Sequence, residues 1–233
     1  MIVCNVCKQE NDDYATICIQ CKGYVQNRIP NLDFFETVWS VVESPRRAFH
    51  NITLAEHKNY SLLLFSLFGV GLSFTAFWYF KLGNHFDSLI DLLSRATLLG
   101  IGAGYIAAFV FTITVHVIVR LFGGRKGIRN SFAVLAYSTT PMAISLVTIL
   151  PIELLTFGMY MFTANPHPYT IKPEMYVVLL GVDGALAVWA LALAIAGFHI
   201  SKRMKLWQST LAVLIGGSIS MTLLFLLAKY LLV

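Results

Sequence analysis

The sequence predicts an all-α membrane protein: a five-span transmembrane helical bundle preceded by a small cytoplasmic zinc ribbon. Three observations carry that prediction. The 233 residues are 57% hydrophobic and only 12% charged, about half the charged content of a soluble domain, and the mean hydropathy is +0.70. Five apolar stretches follow one another from residue 60 onward, each of about 20 residues and long enough to cross a hydrocarbon core of roughly 30 Å. All four cysteines fall within the first 21 residues. Such a composition leaves too little polar surface to cover a water-soluble globule, and it excludes disorder for the same reason.

Cys4, Cys7, Cys18 and Cys21 are spaced C-x2-C-x10-C-x2-C. Each C-x2-C pair forms a tight knuckle that points two thiolates at one place, and two knuckles supply the four soft ligands of a tetrahedral Zn2+. The alternative is a pair of disulfides in a secreted domain. Against it, Met1 opens directly onto the first knuckle and the first long apolar run starts near Tyr60, with no signal peptide between them. Four thiolates close the coordination shell, so the expected site is structural, with no open position for water or substrate. A ribbon of residues 1–24 buries almost no core, and metal binding would supply most of its folding free energy. Lys8 and Lys22 stand where a glycine usually follows a knuckle, with Gly23 one place later. Glu10, Asp12 and Asp13 offset these lysines, so a nucleic-acid finger is not expected. A protein-docking knob or a plain folded cap is.

Residues 25–58 read as a linker with juxtamembrane amphipathic helices. Gln26, Asn27 and Arg28 lead to Pro30, and residues 32–43 then place Phe35, Val38, Trp39 and Val42 at helical spacing, opposite Asp33, Glu36 and Glu43. Ser44 and Pro45 restart the chain as N-cap and first helical residue. Arg46 and Arg47 beside Phe49 fit either a helix lying on the headgroup layer or one packed on the bundle's own face.

The membrane domain covers residues 59–233, with spans predicted over 60–80, 97–119, 131–152, 176–198 and 207–228. The first carries no charge at all. Residues 151–164 would make the third span too long for one crossing; Pro151 is expected to break it and leave an interfacial or tilted extension. The segment 81–96 is amphipathic, with Phe86, Leu89, Ile90 and Leu93 on one face and an i,i+4 pair of Asp91 and Arg95. It is expected to lie flat on the outer surface. Basic residues set the orientation. With the N-terminus in the cytoplasm, inner segments hold Arg46, Arg47, Lys58, Arg120, Arg125, Lys126, Arg129, Lys202, Arg203 and Lys205. Outer segments hold only Lys81, Arg95, Lys172 and Lys229. The C-terminus is then outside, and the thiols lie in a reducing compartment.

Ionisable groups inside spans are functional candidates by default. Glu153 and Asp183 fall toward the outer end of consecutive spans, where they could share a proton or cation or simply sit at the interface. His116, one turn before Arg120, and His199, beside Lys202, read as snorkelling or capped histidines. Gly100 and Gly104 have the small-xxx-small spacing of close helix packing, and the alanines between 185 and 196 suggest a central fourth span. Pro141 is expected to kink the third span. Nothing in the spans pairs a nucleophile with a base, so no enzymatic activity is expected. An odd number of spans argues against a transporter of paired halves.

Three stretches carry a family resemblance: VVESPRRAFHNI (41–52), LFGGRKGIRNSFAVLAYSTTPMAI (121–144) and HISKRMKLWQS (199–209). Ser44-Pro45 before Phe49, Gly123-Gly124 before the third span, and Ala136-Tyr137-Ser138 with Pro141 resemble the Yip family of small multispan membrane proteins, over roughly residues 38–230. That family is named for eukaryotic members that interact with Ypt/Rab GTPases. The acidic-aromatic motif that those members carry ahead of their first span is not found here, so Rab binding is not carried over. Prokaryotic members with an N-terminal zinc ribbon resemble this chain, which implies the plasma membrane of a bacterium or archaeon. The resemblance implies a non-enzymatic membrane organiser or adaptor whose ribbon docks an unidentified cytoplasmic protein. Arg46, Arg47, Arg125, Lys126, Arg129, Lys202, Arg203 and Lys205 are candidates for anionic lipid headgroups. The alternative is a small-solute, ion or lipid transporter using Glu153 and Asp183. Self-association is left open.

Overall fold

Two amphipathic helices lead into the bundle in the computed structural model, which describes residues 1–12, 14–26, 29, 31–125 and 127–232. Helix α1 (Phe34–Glu43) starts where the Asp33 carboxylate accepts the Glu36 amide at 2.9 Å, an N-cap that satisfies one free donor of the first turn. It buries Thr37 and Val41, while Phe35 and Trp39 are 79% and 68% exposed. The apolar stripe read from the sequence therefore points away from the protein. Helix α2 (Pro45–Leu54) follows at once, with Phe49 fully buried. Ser44 occupies its N-cap position, but the hydroxyl makes no capping bond; it lies 3.5 Å from Ser40 Oγ instead.

Five candidate membrane spans follow. Helix α3 (Ser61–Tyr79) and helix α4 (Leu89–Leu121) pack backbone to backbone. A Cβ on Gly69 would lie 2.1 Å from the Gly104 amide nitrogen and 2.3 Å from the Gly100 carbonyl, so the expected Gly100/Gly104 contact is real and Gly69 completes it. Helix α4 corrects the expectation of a flat outer helix. Ser88 caps it by accepting the Asp91 amide at 3.2 Å, and it runs unbroken for 33 residues, about 50 Å at 1.5 Å per residue. Residues 89–96 are thus its first turns. They bury Leu92 and Ala96 and leave Ile90 79% exposed, although the Asp91–Arg95 pair forms at 2.9 Å.

The third span is broken, but not at Pro151. Helix α5 (Ile128–Ser138) ends at Thr139, and helix α6 (Thr140–Phe157) begins with Pro141 in its first turn. There the missing N–H costs no intrahelical bond. The hydroxyls of Ser138, Thr139 and Thr140 each donate, at 2.7 Å, to the carbonyl three residues before, which satisfies the last turn of α5. Pro151 stays inside α6. The helix stops at Gly158, and the 3-10 turn Gly158–Phe162 tucks Phe162 against Phe74, ring centroids 6.0 Å apart.

A short helix α7 (Pro168–Ile171) leads to α8 (Pro173–Lys202) and α9 (Leu206–Leu232). The alanine-rich α8 is peripheral, not central: Ala185, Ala187 and Ala192 are exposed, and α3 and α4 are the most buried spans. Two cores stack along the bundle. One, around Phe49, Leu64, Val115, Tyr137 and Phe198, joins α2 to the adjacent ends of the spans. The other, around Phe74, Phe77, Leu92, Phe157 and Phe162, fills the far end.

Candidate metal centre and polar groups of the bundle

The ribbon is built on two knuckles and a minimal sheet. Strand β1 (Ile2–Val3) pairs antiparallel with β2 (Glu10–Asn11), and a single bridge joins Ile17 to Tyr24. In each knuckle the amide after the second cysteine returns to the first cysteine's carbonyl, Lys8 to Cys4 at 3.0 Å and Lys22 to Cys18 at 3.2 Å. Closing that turn puts both lysines in the left-handed region, φ 61° and 60°, which is why glycine is usual there.

The four sulfurs lie within 4.8 Å of one another, with Cys4–Cys21 and Cys7–Cys18 at 3.5 Å. A tetrahedral zinc with 2.3 Å bonds separates its sulfurs by about 3.8 Å, so the donor set fits a metal ion. Amide N–H groups favour the thiolate at two of the four cysteines, whereas the neighbouring sulfurs push the Cys21 thiol up to about 11. The amides of Cys21 and Gln20 outweigh burial and hold the Cys18 thiol down at about 6, and those of Cys7 and Val6 lower Cys4. Asn11, which the spacing of cysteines could not reveal, is 4% exposed; its amide donates to Gln9 O at 2.8 Å and reaches Cys18 Sγ at 3.5 Å, and its oxygen accepts the Ile19 amide at 2.9 Å. It ties the second knuckle to β2 and would add a donor to the Cys18 sulfur of a bound metal.

One edge of the ribbon is seated on the bundle. The Tyr14 hydroxyl donates to the Ile200 carbonyl at the end of α8 at 2.7 Å. Its ring lies 5.2 Å from that of His50 and beneath the Arg203 guanidinium at 5.4 Å. Asp12 accepts from Arg125 at 2.5 Å and from Arg203 at 3.3 Å. The Tyr14 amide, then these two guanidiniums, hold the Asp12 carboxyl below the usual carboxylate range. The linker is fastened too: Leu32 is buried in the adjacent core, and the Glu56 amide donates to Ile29 O at 2.9 Å.

The eight basic candidates therefore separate. Arg125 and Arg203 bond to Asp12. Lys202 is 2% exposed and donates to Gly127 O at 2.6 Å, which braces the α4–α5 turn and takes its ammonium away from any headgroup. Arg46, Arg47, Arg129 and Lys205 are exposed. Lys126 lies outside the described residues. Lys58, just before α3, donates to the carbonyls of Ile52, Thr53 and Ala55 at the end of α2; burial, with Arg129 nearby, pushes its ammonium down to about 8. His116 Nδ1 meets Ser131 Oγ at 2.8 Å, joining α4 to α5, and His199 Nδ1 donates to Met204 O at 2.6 Å across the α8–α9 turn. Both histidines are structural in these contacts. Glu153 and Asp183 face inward: Glu153 is 5% exposed, and Asp183 accepts from Ser145 of α6.

Fold and cysteine cluster together define a multi-pass membrane protein with a metal-ready cap. Residues 39–229 match the family model described as the Yip1 domain, and the chain belongs to that family. No curated protein and no solved structure matches it. The stretches that carry the resemblance build the core next to the ribbon. Phe49 packs where a Cβ on Gly197 would meet its ring at 3.0 Å, and the buried Tyr137 donates to Asn59 O at 2.8 Å.

Proposed function

We propose that this protein is a non-enzymatic membrane-organising or adaptor protein whose zinc-loaded ribbon, residues 1–24, docks a cytoplasmic protein. The supporting observation is the ribbon's free surface. Asp12 and Tyr14 face the bundle, while Val6 and Ile19, one in each knuckle, are 75% and 66% exposed and Tyr24 is 67% exposed. Apolar side chains held outward on a rigid small module are the usual anchors of a protein interface. Zinc is the metal that four thiolates in a reducing compartment select. The membrane is the plasma membrane of a prokaryote, with the N-terminus in the cytoplasm and the C-terminus outside, as the basic residues favour.

Residues 25–58 connect the ribbon to the membrane domain, residues 59–233, and lie at the headgroup level. Phe35 and Trp39 would enter the bilayer boundary there. Arg46, Arg47, Arg129 and Lys205 would meet anionic headgroups, each contributing about 1 kcal/mol near the surface. The exposed face of α8 at Gly181, Ala185, Val188 and Ala192 suits self-association through small residues. The transport alternative draws no support from the family match. The test is affinity purification from crosslinked cells of wild type and of Val6→Ser/Ile19→Ser at matched membrane levels. A protein retained by wild type and lost by the variant, with metal content unchanged, is expected. Identical recoveries would refute docking through the knuckles.

A further inference from the structure

A cavity of about 140 Å³ opens inside the far half of the bundle, between α3, α6 and α8. It has room for roughly four or five water molecules at about 30 Å³ each. Its wall is mostly apolar and includes the rings of Phe74, Trp78 and Phe162, with Ser145, Glu153 and Asp183 on the polar side. Ser145 donates to Asp183. Glu153 is 95% buried by its 5% exposure, and among the described residues no hydrogen bond reaches its carboxylate. The Trp78 indole N–H lacks an acceptor among the described residues, but its nitrogen has no accessible surface and does not open into the cavity. Lys81 sits 5.0 Å over the Trp78 ring but is not part of the wall.

A buried carboxylate without donors or a counter-charge is costly, and the protein's own groups leave Glu153 in that condition. A divalent ion would want six or more oxygens or waters around it, which a mostly apolar wall does not offer. An ammonium on a small carbon body suits the cavity better. Its N–H groups go to the carboxylates, aromatic faces stabilise its charge, and the apolar wall covers its carbons.

We propose that this cavity binds a small primary amine, its ammonium held by Glu153 and Asp183. Two sources share that chemistry, a free amine and the headgroup of an aminophospholipid entering from the bilayer. The proposal rests on nothing in the ribbon and stands whether or not the ribbon docks a partner.

The probe is ethanolamine, titrated into the full-length protein in a maltoside detergent and read by calorimetry and by the thermal midpoint. Saturable, stabilising binding is expected, with none for ethylene glycol. Glu153→Gln and Asp183→Asn should each weaken it at least tenfold. Glu153→Gln keeps the shape of the buried side chain, so it is expected to fold and decides the matter even if Asp183→Asn does not. In nanodiscs, weaker ethanolamine binding in phosphatidylethanolamine than in phosphatidylglycerol identifies the lipid as the source, and equal binding identifies the free amine. No saturable binding, equal binding of magnesium or potassium, or unchanged affinity in Glu153→Gln would overturn the proposal.

Discussion

At the ribbon end of the bundle the cations meet protein oxygens, whereas at the far end the buried Glu153 carboxylate meets no donor among the described residues. Lys202 donates to Gly127 O, Arg120 to Gly124 O at 3.3 Å, and Lys58 to three carbonyls. Arg125 and Arg203 share Asp12. Each of these contacts closes a turn or fastens one element to another. Among the described residues the far end has a cavity, an acid, an indole N–H and the buried Lys81 ammonium left over. Buried polar groups are nearly always satisfied in folded proteins. The comparison therefore separates charges that hold the fold from charges that await a ligand, a distinction that a list of charged residues cannot make.

Four variants break or sharpen it. The largest effect belongs to Cys18→Ser. Structural zinc contributes on the order of 10 kcal/mol to a module of this size, and among its described residues the ribbon buries little besides Cys4, Cys18 and Asn11. Elemental analysis should find one zinc per wild-type chain and little in the variant. Proteolysis should then cut before residue 25 while the helical circular dichroism persists.

Lys202→Ala comes next. It leaves the Gly127 carbonyl without its donor and opens a void in a packed site, for a loss of about 2 to 3 kcal/mol, measurable by denaturant unfolding in mixed micelles. Glu153→Gln removes a charge just as deeply buried, yet no donor loses its acceptor. Its stability in ligand-free detergent should lie within about 1 kcal/mol of wild type or above it. Equal losses in the two variants would erase the difference between the ends.

The smallest effect is at the seat. Asp12→Asn weakens two partly exposed ion pairs, about 1 kcal/mol in all, seen as faster hydrogen exchange at Tyr14 and Ala15 and sharpened by low salt. Because the Asp12 carboxyl is held below its ordinary value, its contribution is complete above that ordinary value. It is lost as pH falls through the lowered one, so between pH 7 and 5 the seat should not change.

Local chemistry was legible in the sequence, and chemistry between distant elements was not. The cysteine spacing encodes its own tetrahedral geometry, and the apolar runs encode the spans. Gly100 and Gly104 announced a close contact, but Gly69 needed its partner helix to matter. Pro141 marked the place where the third span breaks, but the hydroxyls of Ser138, Thr139 and Thr140 that bond back three residues leave no mark in hydrophobic periodicity, while Pro151 looked like a breaker and stays in the helix. Alanines in α8 suit a central or a peripheral helix alike. Phe35 and Trp39 have the spacing of a packed face, although the helix buries Thr37 and Val41. Tyr14 finds its acceptor at Ile200, 186 residues away, and no reading along the chain could connect them.

The measurement closest to the central claim is photo-crosslinking in cells from an ultraviolet-activated amino acid placed at Ile19, with and without Cys18→Ser, at matched membrane levels. A discrete protein adduct that vanishes with the metal site is the predicted result. Adducts to lipid alone, or the same protein adduct when the site is lost, would contradict a zinc-folded docking module.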